Sequence, residues 1–290
     1  KTQYNKEIKV TGCHSLFSVK DRKIVAGEAR SLRVDDYIVV PKTLPELGDI
    51  TSINILAYLS GKDFCNSQVY VYGLRDLVER LYSTAIPIHK KLDKSRRFYR
   101  VSANNVSMDI LDDSMKQYLN KGFLPLKVIY DLGLMNDVAE GYIITYYHGL
   151  KSKIPVTIGL TPSFMRFLGL FVAEGHSDTR QLGLTFGKHE KLLIDEVASF
   201  ASSFGLGFTG EMRDRSFRIK LFNQVFVKFI GAVCGGGAFH KQIPEFVFMV
   251  NKDLRWHFIE SYCQGDGHKV KGRNCLMFTT VSKDLALQLQ

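Results

Sequence analysis

Paired cysteines are missing from this sequence, and several classes of protein go with them. Its five cysteines, Cys13, Cys65, Cys234, Cys263 and Cys275, stand singly with no C-x-x-C pair. That spacing argues against a zinc-bound or disulfide-framed domain and fits a reducing, intracellular, cytoplasmic setting. Long apolar runs are absent too. The nearest approach, "FVKFIGAVCGGGAF", is broken by Lys228 and by glycines, well short of the ~18 apolar residues of a membrane span. The opening "KTQYNKEIKV" has no secretory signal pattern. The chain starts on Lys1 instead of Met and stops at Gln290 in mid-pattern, which reads as a piece of a longer protein. Acidic residues are in deficit, 29 Asp and Glu against 39 Lys and Arg, leaving a net charge of +10. That excess favours a polyanionic partner, nucleic acid ahead of a membrane surface; the plainer alternative is a merely soluble basic protein.

What is present suffices for a sizeable core: 45% of the 290 residues are hydrophobic. Residues 1–45 read as strands. "KEIKVTGCHSLFSV" alternates, "DRKIVAGEARSLRV" continues after a turn, and "DDYIVVP" closes on a proline. Residues 44–48 read as a linker. Helical spacing recurs in "SINILAYLSG", "GLRDLVERLYSTA", "SMKQYLNKG" and "LKVIYDLGLM". Between them lies a basic cluster of Lys90, Lys91, Lys94, Arg96, Arg97 and Arg100 with Phe98 and Tyr99 inside it. Basic residues interleaved with aromatics suit phosphate contacts and base or sugar packing. A solvated loop explains the same residues equally well.

From Pro155 the pattern sharpens. Thr161 is placed to cap a helix with Pro162 at its first position, and that apolar helix ends on Glu174-Gly175. A strand, an amphipathic helix, a hairpin and another helix follow. A second helix, "LRWHFIESYCQGDG", then ends on Asp266-Gly267, and "CLMFTTVSKDLALQLQ" begins the order again with Ser282 as a cap. The restart indicates an internal repeat whose second copy is incomplete. Gly169 and Ala173 are small and four apart, as are Ser261 and Gly265. Such strips let two helix backbones approach closely, and if these two face each other, Glu174 and Asp266 emerge side by side; the plainer alternative is two unrelated helices ending in acid-Gly. Two neighbouring carboxylates repel, and a helix C-terminus is itself partly negative. A hard divalent cation, Mg²⁺ (or Mn²⁺), resolves both problems. Beside a basic surface, that arrangement points to metal-assisted phosphodiester hydrolysis. Period-two alternation in "SFRIKLF" sets Arg218 and Lys220 on one strand face, which in a DNA endonuclease would face DNA.

Both acid-ended segments resemble the LAGLIDADG (DOD-type) motif of homing endonucleases, whose final acid matches Glu174 and Asp266. The second copy departs from the motif at Ser261, where the family usually has Gly. "TFGKHE" at 185–190 and "HKQIPEFVF" at 240–248 are similar to the segments between the two motifs in intein-borne members. "FTTVSKDLALQLQ" looks like the start of the second subdomain. The resemblance implies an α+β saddle of two αββαββα-like halves, truncated in the second. It also implies a catalytic role for Lys241, double-stranded DNA as substrate, divalent metal on Glu174 and Asp266, and a monomer with an internal pseudo-twofold. A lysine near the scissile phosphate stabilises developing charge or orients water.

"VTGCHSLFSV" resembles the T-x-x-H motif of inteins and related Hint domains at Thr11 and His14, and "SLRVDDYIVVP" looks like the strand pair that follows. In that family these residues polarise the amide at the upstream splice junction. The order is that of an intein interrupted by an endonuclease: a partial all-β splicing domain at 1–45, a linker and DNA-recognition region at 46–154, and the endonuclease at 155–290. The splicing nucleophile is expected upstream of Lys1 and the terminal His-Asn beyond Gln290. Host-protein exteins would then be partners, and a membrane would not. Two other readings stand: a DNA-binding module of the same fold without cleavage, and a splicing domain carrying an inert endonuclease remnant.

Overall fold

The computed structural model describes residues 8–40, 48–60, 69–90, 93–147, 149–272 and 275–290. The fold is mixed α+β, and among the described residues no helix is long and apolar enough to cross a membrane. Lys91 and most of the linker expected at 44–48 lie outside the described residues.

A hairpin comes first. Strand β1 (Ser15–Lys20) pairs antiparallel with β2 (Lys23–Glu28) through a tight turn in which Asp21 and Arg22 both take positive φ, 49° and 62°. The strand expected in "DDYIVVP" reduces to a single bridge between Ser18 and Ile38, extended by Val19 N–H donating to the Tyr37 carbonyl. The alternation of this segment is real, yet Ser18 is its one buried residue, and Phe17, Ile24, Val34, Tyr37 and Val40 stay exposed.

The middle region runs β3 (Ser52–Asn54), β4 (Tyr70–Tyr72), α1 (Arg75–Ser83), β5 (Ile86–Lys90), β6 (Asp93–Ala103) and β7 (Val106–Leu111). It continues through α2 (Asp112–Lys121), β8 (Phe123–Pro125), α3 (Leu126–Asp131), β9 (Tyr142–Tyr147) and β10 (Leu150–Pro155). One sheet has the order β10-β9-β4-β8 and another β5-β6-β7. Two expectations change here. "SINILAYLSG" is a short strand and a single 3-10 turn at Ile55–Tyr58, because Asn54 accepts from Leu56 N–H at 2.9 Å and starts the turn early. The described part of the basic segment is not a loop either. Its strands pair, with Arg97 opposite His89 and Phe98 opposite Ile88.

After β11 (Thr157–Gly159), which pairs with β3, the chain forms α4 (Pro162–Glu174), β12 (Gly175–Ser177), β13 (Gln181–Gly187) and α5 (Lys191–Phe204). Then come β14 (Gly207–Met212), β15 (Ser216–Phe222) and α6 (Gln224–Cys234), an αββαββα order. The second copy restarts as α7 (Lys252–Asp266), β16 (Gly267–Lys269), β17 (Leu276–Phe278) and α8 (Lys283–Gln288). Side-chain caps start these helices: Thr161 accepts from Phe164 N–H, Asn223 from Val225 and Phe226, Asn251 from Leu254, and Ser282 from Leu285. The four-stranded sheet β12-β13-β15-β14 turns Leu182, Leu184, Phe186, Ile219 and Leu221 inward. Its other face carries Gly183, Thr185, Arg218 and Lys220, in register across β13 and β15.

One continuous apolar core runs from Ile53 to Leu285, so the middle region and the αββαββα unit share it. A buried serine joins them further. Ser152 Oγ on β10 donates to the Phe222 carbonyl at 2.5 Å and accepts from Gly207 N–H at 2.7 Å.

Candidate active site at the paired helix ends

Helices α4 and α7 lie against each other at very short range. A Cβ built on Gly169 would sit 2.0 Å from Ser261 Oγ and 2.4 Å from the Phe258 carbonyl oxygen. One built on Gly265 would sit 2.5 Å from Ala173 Cβ. The contact therefore passes through Gly169 against Ser261 and Ala173 against Gly265, with no room for larger side chains. Ser261 keeps its hydroxyl satisfied by donating to the Phe258 carbonyl at 3.0 Å, so the buried polar atom carries little cost. At the rim, Arg166 of α4 locks the pair. It binds Glu196 of α5 through two donors and reaches Glu260 and Gln264 of α7, each at 2.9 Å.

The close approach delivers the two terminal acids to one place. Glu174 lies against Gly265, the residue before Asp266; a Cβ there would be 3.5 Å from Glu174 Oε1. Burial, then the charges of Asp266 and Glu190, push the Glu174 carboxyl above its usual range, and Lys241 partly offsets them. Burial raises Asp266 as well, again eased by Lys241. Lys241 is buried at 6% exposure and donates from Nζ to the Phe171 carbonyl at 2.6 Å, with the ammonium 4.2 Å from the Phe171 ring centre. Burial pulls its pKa down to about 8, against the opposing pull of Cys234, then Asp266 and Glu174. Burial, and then Asp266, push the neighbouring Tyr262 phenol up to about 12.

A cavity of about 360 Å³ opens beside these groups, lined by Gly175, His176, Gly237, Lys241, Asp266 and Thr280 among others. Among the described residues no group of three His, Cys, Asp or Glu is placed to hold a metal. Two carboxylates are nevertheless a fitting donor set for Mg²⁺, which is commonly held by one or two protein carboxylates together with substrate phosphate oxygens and water. The residues present fit such an ion at Glu174 and Asp266.

The other expected site residues are dispersed. Arg218 and Lys220 share the outer face of the αββαββα sheet, where Lys220 pairs with Glu211 at 2.9 Å. Lys90 and Lys94 fall on β5 and β6, with side chains outside the described residues. Arg96, Arg97 and Arg100 are exposed on β6, and Arg100 Nε binds Asp109 at 2.9 Å. The sheet bearing this cluster packs on α1 and α2. Thr11 and His14 stand exposed in the turn before β1, where His14 N–H donates to the Thr11 carbonyl at 3.0 Å.

His176 is a candidate site residue that sequence reasoning missed. Its Nε2 lies 2.6 Å from Arg218 Nη2, across β13, and it lines the cavity with Lys241 and Asp266. Burial, then the cations Arg218 and Lys241, hold its imidazole below the usual range. The available signal was its place two residues after Glu174; the partner depends on strand register, which the sequence does not display.

No family model matches the chain. It is similar to an uncharacterised protein of Methanocaldococcus jannaschii, 25% identical over 98% of this chain and 31% of that protein. It is also similar to a DNA polymerase of Thermococcus kodakarensis, 26% identical over 98% of this chain and 19% of the polymerase. A third relative is a subunit of DNA-directed RNA polymerase from Methanocaldococcus jannaschii, 23% identical over 98% of this chain and 25% of the subunit. The chain thus spans a third or less of the length of these relatives.

Proposed function

We propose that this chain is a site-specific, metal-dependent double-strand DNA endonuclease of the LAGLIDADG type, carried within a self-splicing intein. The observation that carries the reading is the packing of α4 on α7 through Gly169, Ser261, Ala173 and Gly265, which sets Glu174 and Asp266 together beside buried Lys241. The comparisons add support from another direction. Nearly the whole chain matches a minor part of proteins with different names, a DNA polymerase and an RNA polymerase subunit among them. That is the pattern expected of an insert shared by several hosts.

In this reading Glu174 and Asp266 hold the ion, and their mutual repulsion is relieved when they do. A divalent metal held there supplies Lewis-acid polarisation of the phosphate and a lowered pKa for attacking water. Lys241, anchored on the Phe171 carbonyl, holds an amine within the field of both acids, where it would stabilise charge developing on the phosphate. The outer sheet face binds the backbone through Arg218 and Lys220. In a longer parent protein with a cognate duplex and Mg²⁺, Glu174→Gln and Asp266→Asn should each lower cleavage by at least ~100-fold, with DNA affinity retained. Wild-type cleavage rates in both variants would overturn the reading, and retained tight binding without any cleavage by the wild type would favour a DNA-binding module instead.

The exposed apolar side chains of residues 8–40 favour a second role for that segment. It belongs to a β-domain completed by chain outside these residues, the splicing domain, in which Thr11 and His14 act on the upstream junction with the host protein. In a full parent, His14→Ala should block processing at that junction and leave DNA cleavage intact. Loss of both activities would show that the roles are not divided in this way.

A further inference from the structure

We propose that His176 and Arg218 form a preset clamp for one backbone phosphate of the DNA strand beside the paired acids, so that Arg218 reads backbone and not base. This rests on the DNA-processing reading above. The hydrogen bond fixes the chemistry of the pair. Arginine only donates, so Nε2 of His176, 2.6 Å from Arg218 Nη2, must accept and carries no proton. The imidazole is therefore neutral, with its proton on Nδ1. A neutral partner orients the guanidinium without cancelling its charge.

Nor does the surrounding sheet cancel it. Glu211, directly opposite Arg218 in the ladder, is engaged by Lys220 at 2.9 Å and by Arg213 at 3.3 Å. The buried Nε–H of Arg218 has no acceptor among the described residues. A half-buried cation held by an imidazole that also feels Lys241 and, more weakly, Asp178 calls for an anion from outside. Guanidinium geometry matches phosphate oxygens, and His176, which holds the guanidinium, lines the cavity that Lys241 and Asp266 share.

The sequence makes room for this pair at one residue. Gly183 faces His176 across the β12–β13 ladder, and any Cβ there would lie 2.3 Å from the imidazole Cε1 and 2.5 Å from Nε2. The ring lies over the bare glycine and crosses the central strand to reach Arg218. Gly183 is thus a positioning residue that acts through His176.

A phosphate clamp is indifferent to sequence, so a random-sequence duplex is a sufficient probe. Affinity is measured by fluorescence anisotropy across a salt series, without added metal, for wild type, His176→Ala, Gly183→Ala, Arg218→Gln and the double variant His176→Ala/Arg218→Gln. Arg218→Gln should reduce the salt slope by about 0.9, the value for one phosphate contact on B-DNA; His176→Ala and Gly183→Ala, which keep the cation but unseat it, should reduce it by less, and the double variant should lose no more than Arg218→Gln alone. Nitrogen NMR of wild type should show the Nδ1–H tautomer of His176. Thermal melts confirm that the variants are folded, and His176→Ala carries the test if Gly183→Ala is not. An unchanged slope in His176→Ala, an additive loss in the double variant, or an Nε2–H tautomer overturns the clamp. Because no cleavage is read, failure of the endonuclease reading would show separately, as a wild type that never cuts.

Discussion

The paired helices α4 and α7 and the hairpin of residues 8–40 treat their apolar side chains in opposite ways. In α4, eight residues are buried, Phe164, Met165, Phe167, Leu168, Gly169, Leu170, Phe171 and Val172, and the neighbour that buries much of that surface is another segment of the same chain. In the hairpin, Ser18 alone is buried, while Ile24 is 65% exposed and Val34 91%. Hydrophobic patterning states which side chains need cover; it does not state whether the chain at hand provides it. One region is covered by its own sequence, and the other leaves its apolar side chains exposed.

The sharpest way to break that contrast is at the helix contact. In an isolated helix Gly169→Ala would stabilise by about 1 kcal/mol. Here its Cβ would meet Ser261 Oγ at 2.0 Å, so packing overrides propensity. We expect a net loss of about 3 kcal/mol, read from the denaturant midpoint, together with loss of any cleavage activity. A gain in stability would mean the helices are not held this closely.

Next in size is the pH dependence of Lys241. Its folded pKa, about 8, lies below the usual lysine value of 10.5. Between those values the unfolded chain holds a proton that the folded chain lacks, so stability rises with pH through the window. Below about 8 the cost of keeping the buried ammonium is fully present. Unfolding free energies compared at pH 7 and pH 10.5 should rise by a few kcal/mol more in wild type than in Lys241→Met. Parallel behaviour of the two proteins would remove Lys241 from the buried site.

The acids give a smaller effect of their own sign. Glu174 and Asp266 have folded pKa values raised by burial. They weaken the fold above those values, and the penalty fades as pH falls and both become protonated. Asp266→Asn should therefore have a higher melting temperature than wild type at pH 7.5 without metal, and no advantage near pH 3. The smallest change is expected in the hairpin. Ile24→Lys and Val34→Lys should shift the stability of this chain by no more than ~0.5 kcal/mol, as ordinary surface substitutions do. A loss of more than ~1 kcal/mol would show that the segment is covered after all.

Much of the helix pair was legible in the sequence because its signals are local. Small residues four apart, an N-cap before Pro162 and an acid before glycine all lie within one or two turns. The α+β class and the interrupted repeat follow from the same kind of reading. The partner of His176 was hidden because it depends on which residue of β13 and β15 stands opposite which, and a shift of one position would turn Arg218 inward. The basic stretch at 90–100 offered charge but no clear period, so its strands could not be told from a loop. Lys241 was singled out by resemblance alone; its burial follows from a fold around the Phe171 carbonyl that no local pattern announces.

The serine on β10 has a consequence for how the molecule comes apart. Ser152 ties the middle region to β14 and β15 from within a shared core. Opening either part exposes the other's apolar surface and strands a buried hydroxyl, so residues 49–290 should melt as a single cooperative unit. Amide exchange would then report one common, slowest rate on both sides of residue 155. The hairpin, which shares none of that core, should exchange far sooner.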